Sequence, residues 1–402
     1  MARILHLVGL VMWHRAFLIL FLSLFFLGLM GAGDGTGFSA GFAQDRVSSA
    51  LEDDIYTVQG LAVDETARSA LAARGQALRV GQRRALALVL RRITQRSDYP
   101  ALPNPDDKAI AQLVAAVQVT GEKTSTVRYL ATLTVRFDRT AVRELLRNIG
   151  ISYSETRAKP TLVLPVFEKG AALALFEDSN VWRAAWDRLD LGASALLPLR
   201  LPKGDLQDIT TITAEGALAG NEGQLRAMAL RYGVENIMVA HAVLSIDLQA
   251  GGVPRVDVTL LRFGPRGKST EVLDYSIEVG QGLDRDLGGA MDRLALRLVT
   301  DQQENWKRLT QLTFGTETSL SALVPLRGLA EWLAVRQRLE ATAIVRSITL
   351  HGISRQDAQV VIDFFGDTDS LVVSLAQRDL HLALIDGFWE LRLAKKGRMT
   401  TK

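Results

Sequence analysis

The stretch Ala67–Thr94, ARSALAARGQALRVGQRRALALVLRRIT, decides how the first part of this chain is read. Ala70, Ala73, Ala77, Gly81 and Ala85 recur at three- and four-residue spacing, which marks one stripe of an α-helix. Small side chains on that stripe let the helix backbone lie close to a sheet, with Leu78, Leu86, Val89 and Ile93 beside it. The same stretch carries Arg68, Arg74, Arg79, Arg83, Arg84, Arg91 and Arg92 and no acidic residue, with Arg96 just beyond.

Working outward, Ile55–Val63 alternates as a strand, and Asp64 or Thr66 is placed to cap the helix. Prolines 100, 103 and 105 mark a loop, and Asp106 and Asp107 open a short helix to about Val117. Val119–Lys123 and Val127–Phe137 read as a hairpin; in the second strand Val127, Tyr129, Ala131, Leu133, Val135 and Phe137 share one face. Asp138 caps a helix that ends at Gly150. The order of this first module, residues 54–150, is β-α-α-β-β-α.

Ser152–Pro160 is polar and reads as a linker. The second module, residues 161–313, opens with Thr161–Val166 (TLVLPV), an apolar run suited to a buried strand. A helix Asn180–Leu189, a strand Ala195–Leu201, a helix Asn221–Tyr232 stopped by Gly233 and a strand Asn236–Ile246 follow. Arg255–Phe263 and Thr270–Val279 form a hairpin in which Leu273, Tyr275, Ile277 and Val279 alternate, before a long helix from Leu283 to Gln311. The third module, residues 317–394, reads α-β-β-α-β: Leu329–Leu339, Ala343–Leu350, Ala358–Phe364, Ser370–Gln377 and Leu380–Leu393. That order predicts a small split sheet with helices on one face. The fold class is thus α+β / α/β, in three small mixed-sheet modules, with a basic tail Lys395–Lys402.

A leader precedes them. Residues 16–30, AFLILFLSLFFLGLM, form an uncharged apolar run behind His14 and Arg15. Fifteen residues are short of the roughly 20 needed to cross a bilayer. Gly41 and Ala43 stand at −3 and −1 of a cut before Gln44, so residues 1–43 read as a secretory signal peptide. Met12 offers an alternative start with a more normal leader length. An uncleaved anchor in the inner membrane is the other reading. No second long apolar run occurs, so no further span is expected.

Composition narrows the chemistry. The 402 residues carry 47 basic and 44 acidic side chains, a net charge of +3, and no cysteine. Cleavage before Gln44 removes Arg3, Arg15 and Asp34 and takes the charge to about +2. Without Cys there are no disulfides, thiolate metal sites, lipid-modified cysteine or cysteine nucleophile. Export argues for a bacterial periplasm and against a nucleic-acid partner, despite the sequence pI near 9.1.

Candidate motifs fail on spacing. Gly264-Pro-Arg-Gly267-Lys268-Ser269 ends like a phosphate-binding loop, but Arg262 occupies the position of the first glycine and the segment joins two strands; a hairpin turn explains it. His241, His351 and His381 lie in or beside strands without a neighbour at ligand spacing, and His241 is the one expected to be buried. Asp363, Asp367 and Asp369 match no calcium loop, and Asp367 or Asp369 is expected to cap the next helix. Trp182, Trp186, Trp332 and Trp389 read as core anchors. No catalytic residue, cofactor or metal is expected. The candidate site is an anionic-partner face on the arginine-rich helix, Arg68, Arg79, Arg83, Arg84, Arg91 and Arg92; the alternative is an exposed helix back paired with acids from elsewhere in the fold.

Val63-Asp64-x-Thr66-Ala67, Ala72-Ala73-Arg74-x-x-Ala77-Leu78, Arg83-x-Ala85-Leu86, Arg91-Arg92-Ile93-Thr94, Glu122-Lys123, Arg128-Tyr129-x-Ala131 and Val135-Arg136-Phe137-Asp138 resemble the DUF2066 family of exported bacterial proteins. Thr161–Val166 is similar to the segment that follows in that family, which brings no assigned catalytic residues. The helix after the first strand also resembles the N-terminal modules of flagellar outer-ring proteins. The run Leu225–Ile246 is similar to the N-terminal α/β domain of the Tol β-propeller protein, although this chain lacks a lipid-attachment Cys and a propeller. Such modules bind other envelope proteins. The resemblances imply a non-catalytic periplasmic protein that binds or assembles partners in the cell envelope. A binder of anionic lipid or glycan through the arginine helix is the second reading, and an enzyme with a carboxylate site between modules a third.

Overall fold

In a computed structural model, residues 55–192, 195–245, 254–265, 267–278, 283–312 and 317–394 are described. The leader, the side chains of Leu273, Tyr275 and Ile277, Val279 and the tail Lys395–Lys402 lie outside what is described. Among the described residues helices alternate with strands in three main sheets and a further two-stranded one, the α+β / α/β class that the hydrophobic periods predict.

The first sheet holds β1 (Thr57–Thr66), β2 (Val114–Thr124) and β3 (Arg128–Phe137), antiparallel in the order β1-β3-β2. Helix α1 (Ala70–Ile93) lies on it with Ala73, Ala77, Gly81 and Ala85 buried. The closeness of that approach is measurable at Gly81, where a Cβ would sit 2.4 Å from Leu133 Cδ1 and 3.0 Å from Val63 Cγ1. The cap differs from expectation. Ser69, not Asp64 or Thr66, accepts from the N–H of Ala72, because Asp64 is still in β1 and engages Arg128 across the sheet. A 3₁₀ turn (Arg96–Ala101) leads to α2 (Asp107–Leu113), capped by Asp106. This helix stops four residues early because Val114–Val117 is recruited to β2 by pairing with β3. In β3 Tyr129, Ala131, Leu133, Val135 and Phe137 are all buried, whereas Val127 just outside it is exposed. Asp138 caps α3 (Arg139–Asn148).

The second sheet is built on β5 (Thr161–Lys169), whose first seven residues are all buried. An apolar run of that kind requires cover on both faces. One face receives Trp182 and Trp186 from α4 (Val181–Asp187), packed edge to face with ring centroids 5.7 Å apart. The same face packs on α8 (Leu283–Leu309). The other receives α6 (Ala214–Ala219) and α7 (Glu222–Tyr232). Strand order is β10-β9-β8-β5-β6, where β6 is Ala172–Ala174, β8 Asn236–Ser245, β9 Arg255–Gly264 and β10 Gly267–Glu278. β7 is shorter than expected, Leu199–Arg200, and pairs with β5; a further helix, α5 (Leu206–Thr211), follows it. Gly264 pairs with Gly267 across a tight β9–β10 turn, so the glycine–lysine motif closes a hairpin.

The third sheet corrects the expected order. A strand β12 (Glu317–Pro325) precedes α9 (Leu329–Glu340), and the last element is two strands, β15 (Leu380–Ile385) and β16 (Phe388–Leu393). Asp386 and Gly387 both adopt positive φ, 49° and 84°, in the turn between them. With β13 (Val345–Ile353), β14 (Asp357–Phe365) and α10 (Thr368–Ala376), the order is β-α-β-β-α-β-β and the sheet runs β13-β14-β12-β16-β15. Asp367 caps α10, and the backbone N–H and hydroxyl of Ser370 hold its carboxyl below the usual range. Apart from α2, its first five elements repeat the connectivity of the N-terminal sheet: strand, helix, hairpin returning to the first strand, helix.

The stretch read as a linker is not one. Tyr153, Ser154, Glu155, Thr156 and Ala158 are buried, and β4 (Tyr153–Ser154) pairs with β11 (Gln311–Leu312). Ser154 Oγ lies 2.6 Å from Thr310 Oγ1, the Trp306 indole donates to the Thr156 carbonyl at 2.7 Å, and Ala158 N–H donates to Leu196. Its polar side chains are solvated by the fold rather than by water.

Candidate functional site

Helix α1 buries its small-residue stripe against β1 and β3, which turns its remaining positions outward. The arginines there do not form one uniform face. Arg68 precedes the cap and is exposed. Arg84 donates from Nη1 to the Ala62 carbonyl of β1 at 3.0 Å, and Arg92 reaches the carbonyls of Ile55 and Thr57 at the strand's start. Arg91 lies over the Tyr99 ring, 5.6 Å from its centroid. Arg74, which was outside the candidate set, pairs with Glu122 of β2 at 3.4 Å. Of these arginines Arg74 is paired with an acid; carbonyls engage Arg84 and Arg92, and a ring faces Arg91.

Arg79 and Arg83 are different. One turn apart, both reach Asp107, the first residue of α2, at 3.4 and 2.5 Å. Around them opens a cleft of about 280 Å³ lined by Gln76, Arg79, Val80, Arg83, Arg84 and Asp107. All three charged groups of the pair and its acid are about half exposed, so the ion pairs are screened and individually weak. Three guanidinium groups border this cleft and one carboxylate answers them.

The other candidates separate in space. His241 is on β8 of the second sheet and is half-buried, its Nε2 2.8 Å from Glu168 Oε2. His351 and His381 are exposed on β13 and β15 of the third. Among the described residues no three His, Asp or Glu side chains gather as metal ligands. Asp363 accepts from the hydroxyls of Ser319 and Ser347, which flank it on neighbouring strands and hold its carboxyl below the usual range. Trp182, Trp186 and Trp332 are buried as anchors, and Trp389 packs half-buried against the same core as Trp332.

Two polar clusters escaped sequence reasoning. Glu155, in the presumed linker, accepts from the Tyr56 hydroxyl and from Arg143 Nε at 2.7 Å. Lys307, near the end of α8, sits 5% exposed against the end of α1. The signal for the first was slight: Ser152–Pro160 holds no Gly and a single Pro, at its last position, fewer than a flexible linker would be expected to hold. Among the described residues no helix is long and apolar enough to cross a membrane.

No family model matches the chain, and comparison with curated proteins returns no match. A solved formyltetrahydrofolate deformylase from Pseudomonas putida KT2440 is similar over 61% of this chain and 94% of its own length, at 12% identity and a TM-score of 0.21. A likeness of that size carries no argument about activity.

Proposed function

We propose that this is a non-catalytic assembly or adaptor protein of the bacterial cell envelope, exported by its leader to the periplasm, that works by binding other envelope proteins. One observation carries the reading. At the tip of the β15–β16 hairpin, on the edge of the third sheet, Leu384, Ile385 and Phe388 are 60%, 42% and 75% exposed. Ile385 and Phe388 are directly paired across the strands, so they share one face. An edge strand with free backbone groups and uncovered apolar side chains invites a further chain to pair with it, and natural proteins normally blunt such edges. The resemblance of the first module to the exported DUF2066 proteins agrees with the export part of this reading.

Photo-crosslinking in cells tests it. A crosslinker at Phe388 should trap a discrete envelope protein, whereas one at Leu230, exposed on α7, should not. Equal, diffuse labelling from both positions would overturn the proposal.

A further inference from the structure

A second site lies on the first sheet's helix and is independent of the adaptor reading. We propose that the cleft beside Arg79 and Arg83 binds a single anionic oxygen group, a phosphate monoester or diester, which takes the place that the Asp107 carboxylate now holds. Arg79 and Arg83 stand at i and i+4, so their side chains project to one side of α1 and converge on one point. The group at that point is a carboxylate, and its distances of 3.4 and 2.5 Å show that two guanidinium groups can close on one anion there. Arg84 closes another wall with one Nη committed to the Ala62 carbonyl, and its other donors remain for a ligand. Gln76 adds an amide, although its Nε2 is 2.7 Å from Glu65 Oε2.

Charge decides why Asp107 is a placeholder. Three guanidinium groups and one carboxylate leave the cleft with a formal surplus of two positive charges. A phosphate monoester carries more charge than the carboxylate and offers three acceptor oxygens, a better match to two forked donors; a diester, with one charge and two free oxygens, matches them as the carboxylate does. Asp107 is held at one end only, as the first residue of a short helix whose cap is Asp106, so it can swing away without uncapping that helix. About 280 Å³ accommodates a phosphate group and leaves its substituent in solvent. The shared chemistry is the phosphate; a lipid headgroup and a free small molecule are its two possible sources.

The test uses the full chain, wild type and three variants: Asp107→Asn, Arg83→Gln, and Arg79→Glu with Arg83→Glu. Inorganic phosphate is titrated by calorimetry, and vesicles of phosphatidylglycerol are compared with vesicles of phosphatidylcholine by sedimentation. Binding common to both vesicles is assigned to the leader and subtracted. Asp107→Asn should tighten phosphate or phosphatidylglycerol binding about 3–10-fold, since it removes the competing carboxylate. Arg83→Gln should weaken it by about the same factor, and the double reversal should abolish it. A response to phosphatidylglycerol alone identifies a headgroup, and a response to phosphate identifies a free ligand. No saturable binding on either arm, or binding that Asp107→Asn leaves unchanged, overturns the proposal. Circular dichroism of each variant confirms that the fold is kept.

Discussion

The Nζ of Lys307 lies 2.8 Å from the carbonyl oxygen of Thr94, across 213 residues of chain. It also donates to the Arg91 carbonyl and to Glu304 Oε1, each at 2.8 Å, while Glu304 Oε2 accepts the Arg96 N–H. The last carbonyls of α1 have no partner within the helix, and a cation there also meets the negative end of its dipole. A lysine from α8 therefore caps α1, and the first sheet is tied to the helix that packs on the second.

Replacing this cap should be costly. Lys307→Met keeps most of the stem but strands the buried Thr94 carbonyl and the partly buried Glu304, while the Arg91 carbonyl keeps the Tyr99 hydroxyl, for an expected loss of about 2–4 kcal/mol. Urea unfolding measures it; a change under 1 kcal/mol would deny the capping role. Burial pushes the Lys307 ammonium below its ordinary value of 10.5, against the pull of Glu304. Between that lowered value and 10.5 the unfolded chain holds a proton that the folded one has released, so this residue's contribution rises with pH there. The Met variant should lack that rise.

Two tyrosines act in the opposite direction at higher pH. Burial first, then the Glu155 charge, pushes Tyr153 up to about 12, and the same causes together with the hydrogen bond to Glu155 raise Tyr56 further. Above the ordinary phenol value of 10 the unfolded chain loses these protons and the folded chain keeps them. Stability should be complete below pH 10 and fall as pH rises toward 12, with Tyr153 contributing about 2–3 kcal/mol of that loss. Tyr56→Phe should make the alkaline limb shallower, which unfolding curves between pH 9 and 12 will show or refute.

Gly81 and Gly75, both in α1, should respond oppositely to alanine. At Gly81 the new methyl meets the buried side chains of Leu133 and Val63, so about 1–3 kcal/mol of overpacking should exceed the ~1 kcal/mol gained in helix propensity. At Gly75 the nearest atom is Arg79 Nη1 at 3.4 Å, ordinary room beside a flexible side chain, and about 0.5–1 kcal/mol of stabilisation is expected. Thermal midpoints moving the same way in both variants would contradict the packing argument.

The segment 152–160 supplies a fourth test. Trypsin cuts flexible linkers at basic residues; Lys159 is followed by Pro160, which blocks the enzyme, so Arg157 offers the site here. Here Lys159 is engaged by Glu235 at 2.6 Å and Asp379 at 2.5 Å, and Ala158 is buried. Limited proteolysis should spare the Arg157–Ala158 bond until global unfolding, and a Gly-Ser-Gly insertion after Glu155 should lower the urea midpoint. Early cleavage after Arg157 would restore the linker reading.

Legibility followed how locally each element was specified. The stripe of α1, the alternation of β3 and the unbroken run of β5 each state their partner's position in their own period. The third sheet was legible and misread. Asp386-Gly387 is a strong two-residue hairpin signal inside a run whose apolar residues otherwise read as one strand. β12 was missed because its alternating Ser319, Leu320, Ser321 and Ala322 are weakly apolar, and its central place depends on β14 and β16 beside it. For the candidate site, composition revealed the arginine excess but not its distribution. Nothing near Arg83 in sequence announces Asp107, 24 residues on.

By itself the sequence determined the α+β class, the small-residue face of α1 and most capping residues, because those depend on side chains within a turn or two of each other. The tertiary structure alone decided that the polar stretch after the first sheet is buried and that Lys307 caps a distant helix. It also left two arginines of seven converging on one carboxylate beside an open cleft. The physical reason is range. A buried charge needs partners on several sides, and in this fold they come from elements as far as 220 residues apart, which no local period can record.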